Sequence, residues 1–190
     1  IRSIWLGPRT VIGLNNNENL KYLRKKIDLI NKLNQQDLKL VLSIGSIDVR
    51  CLYYEIFLRK LVSSEIQVYK MFEENFRLFL NEIKKINIDL NNCYILGLFN
   101  SIDKGYEVKN IDELISLKEK FDYPTFGNID DRANWTNATN KIIKEILKDE
   151  SIGFIPLEKI INNTTDSEIF DNNVHILSKK ILEHTYKEII

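Results

Sequence analysis

A chain of 190 residues is the size of one domain and can bury a full core without disulfide or metal staples. Its 27 basic and 27 acidic side chains cancel, so no net field draws it to nucleic acid or to an anionic membrane surface, and no nucleic-acid partner is expected. No apolar stretch reaches the ~20 residues of a membrane span, and 44% hydrophobic with 28% charged residues is ordinary for a globular protein.

Ser3-Ile4-Trp5-Leu6 reads as a short buried strand broken by Gly7-Pro8, and the residues from Gly13 to Asn17 read as a loop. From Asn19, taken as the N-cap, Leu20, Leu23, Ile27, Ile30 and Leu33 recur at helical spacing with Lys and Arg opposite. A strand over 38–47 follows, its apolar part lacking polar alternation, as suits a strand covered on both faces. Residues 53–86 read as helical, interrupted at Ser63-Ser64-Glu65, because serine competes for backbone hydrogen bonds and caps new helices. Residues 93–99 form a third strand, and 106–128 are polar and poorly periodic. A helix over about 130–147, a fourth strand over 152–157 and a last helix over about 176–189 complete the chain. This alternation predicts a single α/β domain over 1–190, a three-layer sandwich of central parallel sheet flanked by helices and joined by right-handed crossovers.

The strand over 38–47 stops on Gly45-Ser46-Ile47-Asp48-Val49-Arg50. Gly45 and Ser46 allow close backbone approach, Asp48 and Arg50 are one strand period apart, and ligands of open parallel sheets bind outside the carboxyl ends of strands. An Asp-Arg ion pair holding a turn is the structural alternative. The loop from Gly7 to Asn15, carrying Thr10 and Gly13, falls on the same rim, as does Asp171-Asn172-Asn173-Val174-His175 before the last helix. His175 is positioned for proton transfer with Asp171 close enough in sequence to orient its ring, whereas His184 sits inside the last helix. Cys51 and Cys93 match no metal or redox spacing, which favours a reduced, cytoplasmic setting, and no metal or other cofactor is expected. The sequons at Asn134 and Asn137 reflect an Asn-rich composition.

Together these segments resemble the SGNH, or GDSL-like, hydrolase family. The stretch from Ser43 to Arg50 is similar to that family's third block, and closer still to the Gly-Glu-Ile-Asp-Cys-Arg form of a polysaccharide-associated branch; Asp171 and His175 resemble its terminal Asp and His block with one extra residue between them. The resemblance implies a flavodoxin-like fold and serine-type acyl transfer, with His175 as base and Asp171 as its orienter. It places Gly13, Gly45 and Ser46 on the oxyanion side, with Asp48 and Arg50 shaping the site or binding substrate. Gly7-Pro8-Arg9 puts arginine where the nucleophile block has serine, and Ile47 replaces the third block's asparagine. Aligning Gly7 through Asn15 on the second block instead sets the Gly-Asp-Ser strand upstream of Ile1; Thr10 and Ser3 are the candidates within the chain. The expected function is an esterase or acyltransferase acting on a carbohydrate acyl group. The alternative is a catalytically silent binding module of a larger polysaccharide-related protein, with further domains as partners. A nucleotide-binding domain ranks last, for want of a Gly-rich phosphate loop.

Overall fold

The computed structural model describes residues 10–32, 39–99, 104–121 and 124–157. The expected strand at 3–6, the last helix, Asp171 and His175 lie outside them.

Helix α1 (Asn17–Asn31) starts three residues earlier than its apolar period implied. Asn16 is its cap, the side chain accepting from the Glu18 amide, and Asn19 instead donates to the Gly13 carbonyl at 2.7 Å. Leu23, Ile27 and Ile30 form its buried stripe. Strand β1 (Leu40–Ser43) is shorter than expected, because Gly45 adopts φ +92° and the chain turns helical at Ser46. A π turn (Asp48–Leu52) runs into α2 (Tyr53–Leu58). Helix α3 (Glu65–Ile83) begins after Ser64, so the break expected at residues 63–65 is present. Strand β2 (Cys93–Leu96), helix α4 (Ile111–Lys120), helix α5 (Ile129–Leu147) and strand β3 (Gly153–Ile155) follow.

The fold is mixed α/β, with a parallel sheet in the order β1-β2-β3. Leu40 lies opposite Cys93, Ser43 opposite Leu96, and Tyr94 opposite Gly153. In the central strand, Ile95 and Leu96 point to opposite faces and both are buried, so β2 is covered on its two sides. One core joins Leu42 and Ile95 of the sheet to Leu23 and Ile27 of α1 and to Phe72, Phe76 and Phe79 of α3, whose rings stack in sequence at 5.9 and 6.1 Å. At the far end of α3, Glu82 accepts from Arg24 Nε and Nη2, each at 2.9 Å, and from Lys85 at 2.7 Å, which ties α1 to α3. The Arg24 hydrogen bonds draw the Glu82 carboxyl down to about 2.

Candidate functional site

β1 and β2 are parallel, so the Gly45 turn and the residues after Leu96 share the carboxyl rim of the sheet. At Gly45 a Cβ would stand 3.4 Å from Leu98 Cδ2 and from Phe72 Cε2, which is contact without overlap. Glycine is required there by the positive φ rather than by lack of space. The Val49 amide donates to the Gly45 carbonyl at 3.2 Å, and the Tyr53 amide reaches back five residues to the Asp48 carbonyl, the bond that defines the π turn.

This geometry separates Asp48 from Arg50. On a strand the two would point the same way; in a helical turn residues two apart diverge. Ser46, Val49 and Arg50, at i, i+3 and i+4, line a small cleft with Leu98 and Phe99 from beyond β2 and with Arg132 and Thr136, at i and i+4, from α5. Asp48 faces the other way and is fully buried. Its Oδ2 accepts from the Val11 amide at 2.7 Å and its Oδ1 from the Ile12 amide at 3.0 Å, pinning the 10–16 loop behind the cleft. Burial raises the Asp48 carboxyl to about 7, against the two amides that favour its anion. Burial and then the nearby Asp48 hold the Tyr53 hydroxyl well above its ordinary value; its oxygen lies 3.0 Å from Thr139 Oγ1.

Within the 10–16 loop, the Gly13 amide donates to Thr10 Oγ1 at 3.0 Å. That oxygen would stand only 2.5 Å from a Cβ at position 13, so a larger residue there would force the Thr10 side chain to shift. The Gly13 N–H is thereby spent inside its own loop. Of the residues singled out in the sequence, Gly45, Ser46 and Arg50 come together at the cleft. Thr10 and Gly13 join Asp48 behind it, and His175 and Asp171 lie outside the described residues.

Arg132 and Thr136 were not anticipated from the sequence, and Leu98 and Phe99 only as the end of the strand expected over 93–99. Arg132 is 1% exposed, and its Nη1 donates to the Phe126 carbonyl at 3.3 Å and to the Gly127 carbonyl. The Phe126 amide in turn donates to the Arg50 carbonyl at 2.8 Å, so a single turn joins the two arginine-bearing segments. A signal was present: Arg132 stands seven residues before Thr139 and eleven before Ile143, a charge within the buried stripe of its own helix. Leu98 is held by Asn140, whose Oδ1 accepts from the Leu98 amide at 2.7 Å and whose Nδ2 donates to the Leu98 carbonyl at 2.9 Å.

Both cysteines are buried and their thiols are pushed up to about 11 by burial, which removes them as nucleophiles near neutrality. Among the described residues no group of three or more His, Cys, Asp or Glu side chains is arranged to hold a metal, and no helix is long and apolar enough to cross a membrane. Comparison with protein-family models, with curated proteins and with solved structures returns no match.

Proposed function

We propose that the chain is an SGNH-like domain of flavodoxin-like, three-layer type that processes an acyl ester of a carbohydrate, as an esterase or acyltransferase, with the cleft beside Gly45 as its substrate site. The observation that carries this reading is the turn from Gly45 to Arg50, which leaves the carboxyl rim of a parallel sheet and sets Ser46 and Arg50 into a cleft at that rim. In the proposed mechanism a serine outside the described residues attacks the ester carbonyl, His175 takes its proton, and Asp171 holds the imidazole tautomer. Of the two oxyanion candidates, the Gly45-Ser46 turn is the better placed, because the Gly13 amide is bonded to Thr10. Leu98 and Phe99 give the acyl group an apolar wall, and Ser46 and Thr136 offer hydroxyls to a sugar.

The test is turnover of p-nitrophenyl acetate together with labelling by a serine-directed fluorophosphonate. Both are expected in the wild type and absent in His175→Ala. If the folded protein neither turns over the ester nor takes the label, the catalytic reading fails. Ile47 at the asparagine position and the engaged Gly13 amide favour the second reading, a silent module that binds a glycan through the same cleft. Glycan binding without turnover would establish it.

A further inference from the structure

We propose that Tyr106 and Phe121 form a stacking platform for a sugar ring beside the cleft, so that the chain recognises an oligosaccharide or polysaccharide rather than a single acylated sugar. The inference rests on the reading of the cleft as a carbohydrate site and adds the length of the glycan it takes.

An aromatic pair stands outside the core. The rings of Tyr106 and Phe121 stack at 5.7 Å with 22° between their planes, yet the two residues are 41% and 39% exposed. The segment that carries them has a small core of its own, in which Val108, Leu114 and Phe126 pack with Cys51. Phe126, the bridge partner of Tyr106, is fully buried and stacks on Tyr54 at 5.6 Å. Single exposed aromatic residues need no explanation, but a stacked pair left at the surface on fixed backbone is a feature to account for. The Tyr106 amide donates to the Thr125 carbonyl at 2.8 Å, and the Tyr106 carbonyl accepts from the Gly127 amide at 3.0 Å. Phe121 ends α4, its amide donating to the Leu117 carbonyl at 2.8 Å. The pair is thus set before a ligand arrives, which reduces the ordering cost of binding.

The platform adjoins the cleft. Gly127, bonded to Tyr106, also accepts from Arg132 of the cleft wall, and a Cβ on Gly105, the residue before Tyr106, would overlap both the Gly127 carbonyl and Arg132 Nη1. A glycan with one ring at Ser46 and Thr136 can therefore lay a neighbouring ring on the aromatic pair. The chemistry fits a sugar: the face of an aromatic ring carries the negative part of its quadrupole, and the C–H face of a pyranose is apolar with weakly positive hydrogens. The sugar hydroxyls project from the ring edge, and the Tyr106 hydroxyl and the Lys120 ammonium, 5.2 Å from the Phe121 ring centroid, bring hydrogen-bonding groups to the pair. A nucleobase also stacks on such rings, but 27 basic and 27 acidic side chains give a phosphate backbone no net field to follow.

Calorimetric titration with chitohexaose, cellohexaose and xylohexaose, each against its own monosaccharide, tests the proposal. At least one hexasaccharide should bind about ten-fold or more tighter than its monosaccharide, because only the longer chain reaches both cleft and platform. The preference should be lost in Tyr106→Ala, weakened in Phe121→Ala and kept in Tyr106→Phe, which retains the ring. Both alanine changes leave the backbone bonds of the segment in place, and Phe121→Ala decides the matter if Tyr106→Ala does not fold. Binding of every hexasaccharide no tighter than its monosaccharide, or an unchanged preference in a folded alanine variant, overturns the proposal. The two readings fail separately. Turnover of p-nitrophenyl acetate without a length preference removes the platform and leaves the esterase. A length preference that Tyr106→Ala abolishes, without turnover or labelling, removes the esterase and keeps the platform.

Discussion

Replacing Asp48 by alanine removes a side chain that spans from the site turn to the 10–12 backbone, and its cost can be worked out bond by bond. Two buried amides, those of Val11 and Ile12, lose acceptors at 2.7 and 3.0 Å. Each orphaned buried N–H costs about 1–3 kcal/mol, so about 2–6 kcal/mol is expected where the carboxyl is neutral. The pH matters because burial raises this carboxyl from 3.8 to about 7. A group raised in the folded state contributes stability that is fully present below its unfolded value and is lost as pH rises through the folded one. The wild type should therefore lose roughly 2–3 kcal/mol between about pH 5 and pH 8 through this one group, a loss the alanine variant lacks. Urea denaturation at the two pH values is the assay. At about pH 5 the variant should unfold with about 2–6 kcal/mol less stability than the wild type, with the deficit shrinking at pH 8. Amide exchange should show protection lost at Val11 and Ile12. A deficit under about 1 kcal/mol at pH 5, or one that grows with pH, would refute the reasoning.

Glu82 supplies the opposite sign. Its carboxyl is depressed to about 2 by Arg24, so its contribution is present above about 4.5 and lost as pH falls toward 2. Because Arg24 is largely exposed, screening limits the effect to about 1–2 kcal/mol, read as an acid-limb difference between wild type and Glu82→Gln that salt diminishes. Gly45→Ala should cost about 1–3 kcal/mol through its φ of +92°; an unchanged urea midpoint would count against the turn as drawn. Tyr53→Phe deletes a buried hydroxyl 3.0 Å from Thr139 Oγ1 and should cost about 1–2 kcal/mol in urea, with the ring contacts to Phe72 and Trp135 retained.

The parallel sheet, the break before α3 and the helix from residue 129 were legible because each rests on a long apolar period or an unopposed apolar run. Helix α4 was not. Leu114 is its one fully buried residue, so the period is nearly silent, and the helix declares itself through its ends: Asn110 caps the Glu113 amide, Asp112 and Glu113 occupy the first turn, and Lys118 and Lys120 the last. The site was half legible. Gly45 marked the rim correctly, but reading Asp48 and Arg50 with a strand period put them on one face, whereas the turn at Gly45 starts a helix and sends them to opposite sides. Arg132 and Thr136 reach the cleft from α5, more than 80 residues along the chain. No local pattern reports that proximity.

Asn140 carries a consequence for the edge of the sheet beside the cleft. With one amide group it offers the Leu98 peptide the donor and acceptor that a neighbouring strand would present, so both backbone groups of Leu98 are already satisfied. The Leu98 amide is therefore not an open strand edge onto which another strand or an extended peptide could pair. The same two bonds tie the end of β2 to α5, so Asn140→Leu should loosen the rim of the sheet as well as orphan a buried amide and carbonyl.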